Sequence, residues 1–259
     1  MGMKFVRKML HERNGSLKWS ACVFFVAIIL YAAYEIAEHV MPLHGLPPLG
    51  ERIGDIEKIV NPDNFCFAVI GDNKNDKKVF PMIITRINND PDISFVIHTG
   101  DAVESSRKVS YWDFLETLDV RLHKPILLVP GNHDVGDDDL CERAFGQKQY
   151  VFLIGDTCLL FADIADASGM VSAVEHSWLR HALSQNAKNG NIIVFMHIPL
   201  YDPRSDGNHH CLEKRSADKL FETCGEYNVK HIFTGHIHGY WTGLWSTIDS
   251  LYNHCRCWR

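Results

Sequence analysis

The sequence predicts an α/β domain, preceded near the amino terminus by a separate apolar segment. After about residue 63, short apolar runs with the length of buried strands alternate with stretches of helical periodicity. Strands are predicted at residues 65–70, 94–99, 126–129, 150–154, 158–164, 192–196 and 231–234. Helices are predicted between them, at residues 80–88, 111–122, 174–185 and 217–227. This alternation implies largely parallel strands, and such domains gather their ligands at the carboxyl ends of the strands.

Composition and charge are those of an ordinary folded protein without a nucleic-acid-binding surface. The 259 residues are 46% hydrophobic and 22% charged, which is enough apolar material for a sizeable core. The formal net charge is −6, so no basic patch that binds duplex nucleic acid is expected. A small phosphate ester is compatible with this charge.

The amino-terminal segment has the pattern of a membrane signal anchor. Residues 1–18 form a basic segment, and residues 19–34 carry no charged side chain. A transmembrane helix is therefore predicted over residues 19–37, with Trp19 and Tyr34 suited to the two membrane interfaces. The excess of basic residues before it predicts a cytoplasmic amino terminus and a domain on the extracytoplasmic, periplasmic side. A cleaved signal peptide and a buried helix are the alternatives.

The remaining boundaries follow from composition. Residues 38–62 contain four prolines and three glycines, which predicts a linker, and residues 63–259 are predicted to form the folded domain. The end of the chain lacks clear periodicity and crowds Cys255, Cys257 and Trp258 together. We therefore expect that the chain after about residue 243 is truncated or translated from a shifted reading frame.

Five short polar segments each follow an apolar run. They are Gly71-Asp72-Asn73, Gly100-Asp101, Gly131-Asn132-His133-Asp134, Met196-His197 and Gly235-His236-Ile237-His238-Gly239. Taken singly, a Gly-Asp pair is often only a turn, and a histidine that ends an apolar strand is often a core residue. Asp, Asn and His together are the side chains that bind a pair of divalent cations. The five segments therefore predict a two-metal site at the ends of the strands.

These segments resemble the signature of the calcineurin-like metallophosphoesterase superfamily, which runs GDxH, GD, GNH(D/E), a strand-end His and GHxH. The resemblance spans about residues 65 to 239, and phrases such as FVIHTGD and FTGHIHGY look most like bacterial members. It implies two packed β-sheets flanked by helices, an α/β/β/α sandwich, with two divalent ions (Mn, Fe or Zn) at the strand ends. It also implies hydrolysis of phosphomonoester or phosphodiester bonds by a metal-activated water.

The resemblance assigns six metal ligands in two groups that share one carboxylate. Asp101 would bridge the two ions, Asp72 and His238 would complete the first position, and Asn132, His197 and His236 would complete the second. It also assigns the catalytic pair that follows Asn132. His133 would protonate the leaving group or stabilise charge on the phosphoryl group, and Asp134 would orient the imidazole.

One position departs from the signature, because Lys74 replaces the histidine of GDxH. An ammonium group is a poor metal ligand and repels a nearby cation. Lys74 would instead contact the substrate phosphate; alternatively, Glu104 would serve as the missing ligand, or the first position would hold its metal weakly. Arg204 is a further candidate for substrate binding, and a solvent-exposed turn is the alternative. His209 and His210 are expected in a polar loop, and a peripheral metal site is the alternative.

These residues do not restrict the substrate to one chemical class. A small phosphate ester, a nucleotide or a lipid would each suit the ligand set, and a phosphoprotein phosphatase or a pyrophosphatase is a rival within enzymes. The rival from another class is a catalytically impaired, membrane-tethered protein that binds metal or phosphate, which the lysine at position 74 suggests.

Overall fold

The computed structural model describes residues 19, 22–36, 38, 40, 42–136, 139–164, 166, 168–202, 204, 210–245, 248–252 and 256–257. It divides into two compact units, Met1–Pro42 and Leu43–Arg259. The predicted basic segment, residues 1–18, lies outside the described residues.

The first unit contains an apolar helical stretch over residues 22–36. Its large hydrophobic side chains are mostly exposed, among them Phe24, Phe25, Ile29 and Leu30. Among the described residues, no helix combines the length and the apolar character needed to cross a membrane.

The second unit alternates helices and strands. In chain order its helices are α1 Leu49–Ile59, α2 Val79–Asn89, α3 Lys108–Arg121, α4 Leu140–Phe145, α5 Ala173–Asn186 and α6 Lys214–Glu226. Its strands are β1 Cys66–Ile70, β2 Ile93–His98, β3 Ile126–Leu128, β4 Tyr150–Ile154, β5 Thr157–Phe161, β6 Asn191–Phe195, β7 His231–Thr234, β8 Trp241–Trp245, β9 Ile248–Tyr252 and β10 Arg256–Cys257. Each of the predicted strands and helices is present, with ends displaced by at most three residues.

Two sheets pack face to face. The first has the order β10-β1-β2-β3, and the second has the order β4-β5-β6-β7-β9-β8. The pairs β1–β2, β2–β3, β5–β6, β6–β7 and β7–β9 are parallel, as the alternation of strands and helices predicts. Aromatic rings fill the space between the sheets, where Phe67 of β1 makes edge contacts with Phe195 and Phe233 of the second sheet.

Helices cover the outer face of each sheet. One apolar cluster joins β1–β3 to α2, α3 and α4, and a second joins β5–β7 to α5 and α6. The predicted arrangement of two sheets flanked by helices is thus confirmed. This layering brings the carboxyl ends of β1, β2 and β3 next to those of β6 and β7.

The segment predicted as a linker requires a correction, because it contains α1. Arg52 of this helix is 4% exposed and donates hydrogen bonds to the carbonyl oxygens of Pro47, Ile126 and Phe145 at 2.9, 3.1 and 2.7 Å. Composition misled the prediction, since Gly50 and Gly54 lie within a helix whose buried contacts offset their low helix propensity.

The carboxyl-terminal part also contains strands that the sequence did not predict. Strand β9 pairs in parallel with β7, and β8 pairs antiparallel with β9. Strand β7 leads directly into the Gly235–Gly239 loop, so these strands support the loop that carries two of the proposed ligands. The reading frame after residue 243 stays a prediction.

Candidate metal centre

All five polar segments meet at one edge of the two sheets. Asp72, Asp101 and Asn132 follow β1, β2 and β3 of the first sheet, while His197 and His236 follow β6 and β7 of the second. The backbone there is unusual, because Asp72, Asp101, His236 and His238 have φ values of 56°, 54°, 72° and 47°. Left-handed backbone is costly for residues other than glycine and clusters at functional sites.

Two glycines allow the loops to approach each other. A Cβ atom on Gly131 would lie 2.3 Å from the backbone nitrogen and from Oδ1 of Asp101, and a Cβ atom on Gly100 would lie 2.5 Å from the nitrogen of Gly131. Gly100 also has a φ of 96°, which favours glycine. These glycines therefore let the loops after β2 and β3 come into contact.

The ligand atoms form two groups that share Asp101. One group contains Asp101, His197 and His236, the other contains Asp72, Asp101 and His238, and within each group the ligand atoms lie within 4.8 Å of one another. In the group that contains His197, its Nε2 atom lies 3.2 Å from Oδ1 of Asp101 and 3.2 Å from Oδ1 of Asn132. The Nδ1 atom of His236 is also 3.2 Å from His197 Nε2. The structure thus brings all six predicted ligands together.

Hydrogen bonds outside the ligand groups fix the orientation of the ligands. His197 donates from Nδ1 to the carbonyl oxygen of Thr99 at 2.8 Å, which directs Nε2 toward Asp101 and the other candidate ligands. The backbone N–H of His236 donates to Oδ1 of Asp72 at 2.9 Å, and that of His133 donates to Oδ1 of Asp101 at 3.0 Å. The carboxylates are therefore held in place by the backbone of neighbouring loops.

The pKa values reflect burial and the closeness of opposite charges. Burial opposes ionisation of Asp101, but the hydrogen bond and charge of His197 outweigh it and hold the pKa of Asp101 well below its usual range. Burial acts to lower the pKa of His197, yet the hydrogen bond and charge of Asp101 raise it above the ordinary value. Burial and then the charge of His197 lower the pKa of His236 to about 4. At neutral pH the group thus contains an ionised carboxylate and an imidazole suited to metal binding.

The donor set suits a divalent metal ion. Oxygen and imidazole nitrogen atoms are ligands for Zn, Fe and Mn, and a shared carboxylate can give one oxygen to each of two ions. Oδ2 of Asp101 is buried and accepts no well-aligned hydrogen bond from any described residue, and its ion-pair partner is the Lys74 ammonium at 3.2 Å. A buried carboxylate oxygen without a well-aligned donor is a favourable place for a cation.

Lys74 lies inside the site, beside both Asp101 and His133. Its Nζ atom is 3.2 Å from Oδ2 of Asp101 and 2.9 Å from Nε2 of His133. The alternative that Glu104 is a metal ligand finds no support among the described residues, since Glu104 belongs to neither ligand group and is exposed. Lys74, which replaces the histidine of the signature, thus pairs with the carboxylate that the two ligand groups share.

The predicted role of Asp134 requires a correction. Its carboxylate accepts the backbone N–H groups of Val103 at 3.0 Å and Gly131 at 2.8 Å, and it does not orient His133. Nδ1 of His133 instead lies 2.7 Å from the carbonyl oxygen of Glu104. Burial raises the pKa of Asp134 to about 6. Its two hydrogen bonds to backbone N–H groups hold the loop together. No sequence signal identified a backbone carbonyl as the partner of His133.

Arg204 and His210 follow His197 in the chain, and each makes a contact that the sequence did not indicate. Arg204 makes a bidentate ion pair with the buried carboxylate of Asp202, so much of its hydrogen-bonding capacity is used within its own loop. Its contact with substrate stays a prediction. His210, expected in a peripheral loop, has its ring centre 5.8 Å from that of His236, whereas His209 lies outside the described residues.

A buried histidine supports the loop after β1. Nε2 of His98 donates to Oδ1 of Asn73 at 2.7 Å, and the backbone N–H of Gly100 donates to Nδ1 of His98 at 3.1 Å. Burial lowers the pKa of His98 to about 3, so the ring is neutral. Because Asn73 lies between Asp72 and Lys74, this contact positions both. The sequence motifs did not indicate this hydrogen bond of Asn73, although Asn73 belongs to the first motif.

Beside the ligand groups lies a cavity of about 300 Å³. Asn132 and His197 form one wall, and Lys148, Asp163 and Glu175 contribute charged groups elsewhere. This space is adjacent to the metal ligands and is of a size that suits a small molecule.

The comparison with protein families decides the identity. The model of the calcineurin-like phosphoesterase family matches residues 66–240, which include every proposed metal ligand. This chain belongs to the calcineurin-like phosphoesterase family. The family resemblance predicted from the motifs is thus confirmed, and the chain is a member of a family of phosphoesterase hydrolases that use divalent metals.

Proteins similar to this chain are named for different activities. The human serine/threonine-protein phosphatase CPPED1 is 28% identical over 143 residues, which cover 49% of this chain and 46% of the human protein. A probable cyclic nucleotide phosphodiesterase of Fibrobacter succinogenes is 26% identical over 200 residues, which cover 70% of this chain and 74% of that protein. The matched region thus spans about half the length of the human relative.

A solved structure supports the fold of this phosphoesterase. A dimetal phosphatase from Danio rerio superposes with a TM-score of 0.57 and 14% sequence identity, covering 73% of this chain and 86% of that chain. At this sequence identity the match supports the fold alone.

Proposed function

We propose that the protein hydrolyses phosphomonoester or phosphodiester bonds at a dinuclear metal site. The observation that carries this proposal is the pair of ligand groups that share the buried carboxylate of Asp101. Divalent cations at these positions, Mn, Fe or Zn, would bind the phosphate oxygens and activate a water molecule for in-line attack on phosphorus. The first position uses Asp72, Asp101 and His238, and the second uses Asp101, Asn132, His197 and His236.

The residues around the ligands position the ester and the leaving group. Nε2 of His133 lies 3.9 Å from Oδ2 of Asp101, so this nitrogen faces the ligand groups. It is placed to pass a proton to the leaving oxygen or to stabilise charge on the phosphoryl group. The Lys74 ammonium, 2.9 Å from the same nitrogen, adds positive charge where the phosphate would bind.

A small phosphate ester is the proposed substrate class, with nucleotides and lipid phosphates included. The cavity of about 300 Å³ reaches Asn132 and His197, whereas Lys74 and His133 lie outside its lining. A relative named as a probable cyclic nucleotide phosphodiesterase favours a small phosphodiester, while relatives named as serine/threonine-protein phosphatases keep a phosphoprotein as the rival. The net charge of −6 disfavours duplex nucleic acid.

Two chromogenic esters test this proposal directly. Purified protein supplied with manganese should hydrolyse nitrophenyl phosphate, bis-nitrophenyl phosphate or both, and a chelator should abolish the activity until metal is restored. Asp101→Asn should lose at least about a hundredfold in kcat/KM because the shared ligand loses its charge. Lys58→Met, in an exposed part of α1, is the control and should keep full activity. Metal-loaded protein with no activity on either ester would contradict the proposal.

The ion pair between Lys74 and Asp101 favours one alternative, a membrane-tethered protein that binds metal or phosphate without turnover. Such a protein would bind phosphate with a dissociation constant measurable by calorimetry and would not hydrolyse either ester when loaded with metal. The same assay therefore separates the two functions.

We also propose that residues 19–37 attach the protein to a membrane, with the amino terminus in the cytoplasm and the domain outside it. The exposed apolar side chains of residues 22–36 support this proposal. Full-length protein should float with phosphatidylglycerol–phosphatidylcholine vesicles, and the double substitution Phe25→Glu and Ile29→Glu should prevent flotation. Flotation that is equal for both proteins would contradict the proposed attachment.

A further inference from the structure

The two ligand groups are unequal in the number and burial of their protein ligands. The second position has four candidate ligands, among which the His197 side chain is only 4% exposed. The first position has three, and the His238 side chain is 53% exposed. Fewer and more exposed protein ligands bind a cation less tightly, so the first position is expected to bind its ion more weakly.

The Lys74 ammonium lies beside the Asp101 oxygen that is not paired with His197. Oδ1 of Asp101 lies 3.2 Å from His197 Nε2, in the second group, whereas Oδ2 lies 3.2 Å from Lys74 Nζ. A carboxylate can bridge two ions by giving one oxygen to each. In that arrangement Oδ2 would be the oxygen for the first position, and Lys74 is already paired with it.

The position of Lys74 is set by its backbone. Its φ is 42°, in the left-handed region, and its N–H donates to the carbonyl oxygen of Asp101 at 3.1 Å. The neighbouring Asn73 donates to the carbonyl oxygen of Ala102 at 3.1 Å, which ties the same loop to the chain after β2. The Lys74 side chain is 20% exposed, so its charge acts in a partly dry environment where screening is weak.

A divalent ion on Oδ2 and the ammonium cannot both be favourably placed. Metal–oxygen distances of about 2.1 Å would put an ion within roughly 5 Å of Nζ, where a double and a single positive charge repel strongly. The ammonium has three hydrogen atoms and no lone pair, so it cannot act as a ligand instead. An ion that binds there must displace Lys74 from Asp101.

We propose that Lys74 is an internal competitor for the first metal position, so that the two positions fill in order and with very different affinities. The second position fills first. The first fills only when the ammonium leaves Oδ2, and His133, 2.9 Å from Nζ, is the partner already in place for the displaced group. This inference rests on the proposed metal-dependent function and specifies how that site is occupied.

Metal titration of four proteins tests the competition. Calorimetry and elemental analysis after equilibrium dialysis against Mn²⁺ should give one tight and one weak equivalent for the wild type and for Lys74→Arg, which keeps the charge. Lys74→Met removes the charge and should tighten the weak equivalent by roughly tenfold or more. Lys74→His restores a ligand and should tighten it further, with a spin-coupled Mn²⁺ pair visible by electron paramagnetic resonance. Circular dichroism and thermal unfolding would establish that each variant is folded.

Two results would overturn the role of Lys74. One is a wild type that binds two equivalents with dissociation constants within about threefold of each other. The other is a folded Lys74→Met protein whose weak equivalent is unchanged. Both results leave the proposed phosphoesterase intact, whereas a wild type that binds no divalent ion at all would contradict the proposed function and this inference with it.

Discussion

His133 donates a hydrogen bond from Nδ1 to the backbone carbonyl oxygen of Glu104, 2.7 Å away. Because a carbonyl oxygen only accepts, the ring carries its hydrogen on Nδ1, and Nε2 accepts from the Lys74 ammonium at 2.9 Å. The loop after β2 thus orients the imidazole through its main chain. Nε2 faces the ligand groups, and it would act as an acid after taking up a proton, for which the Lys74 ammonium is the adjacent donor.

The first prediction concerns the role of His133 with different leaving groups. His133→Asn should lower kcat on an alkyl phosphate ester by about 10²–10⁴-fold, since an alkoxide must be protonated as it leaves. The loss on nitrophenyl phosphate should be clearly smaller, because nitrophenolate is a stable anion. Steady-state kinetics on both esters measure this difference, and equal losses would show that His133 does not act as the acid.

The second prediction compares two neighbouring histidines. His236→Ala removes a ligand of the second position and should lower both bound metal and kcat/KM by at least about tenfold. His210→Ala is the matched control, since its ring lies 5.8 Å from that of His236 but belongs to neither ligand group. Elemental analysis of dialysed protein should give full metal content for His210→Ala. A loss of metal in that variant would assign His210 to the site.

The third prediction tests whether α1 belongs to the folded domain. Arg52→Met removes three hydrogen bonds to carbonyl oxygens, two of them buried, and should lower the free energy of unfolding by about 2–5 kcal/mol. Lys58→Met, on the same helix with an exposed ion pair to Asp55, should leave it unchanged within the error of the measurement. Urea unfolding measures both. Equal effects would mean that α1 contributes nothing specific to the stability of the domain.

The fourth prediction is a pH dependence of stability that arises from His98. Its folded pKa is lowered to about 3 by burial, below the ordinary value, so its contribution to stability is present above pH 6.5 and is lost as the pH falls toward 3. Between pH 6.5 and 4.5 this amounts to about 2–3 kcal/mol.

The matched variant for this test is His98→Gln, whose side-chain amide keeps a donor for Asn73. Urea unfolding in the presence of a chelator should show a shallower decline of stability with falling pH for the variant than for the wild type. Parallel declines would exclude His98 as the titrating group.

Much of the fold could be predicted because its strands are short and almost wholly apolar. Strands β2 and β6 are buried between a second sheet and a layer of helices, so their sequences are continuous hydrophobic runs. Helix α1 could not be predicted, since Pro47, Gly50 and Gly54 obscure it and the burial of Arg52 depends on contacts with β3 and α4. Strands β8 and β9 were not predicted because apolar residues have no clear periodicity at the end of the chain.

The ligands could be predicted because metal chemistry restricts the residue types, and because each ligand follows a strand. The hydrogen-bond partners of these side chains could not be predicted from the sequence. His197 is held by the carbonyl oxygen of Thr99, ninety-eight residues away, and His133 by that of Glu104. A backbone carbonyl has no residue identity, so no motif indicates it.

The sequence by itself determined the α/β class, the six candidate ligands and the family to which they belong, since residue type and order along the chain suffice for these. Only the tertiary structure decided that Lys74 pairs with Oδ2 of Asp101 and that Asp134 holds a loop instead of orienting His133. The physical reason is that such contacts depend on how two sheets pack and on backbone conformations at their edge. A difference of a few ångströms there decides which oxygen faces a metal ion and which faces an ammonium group.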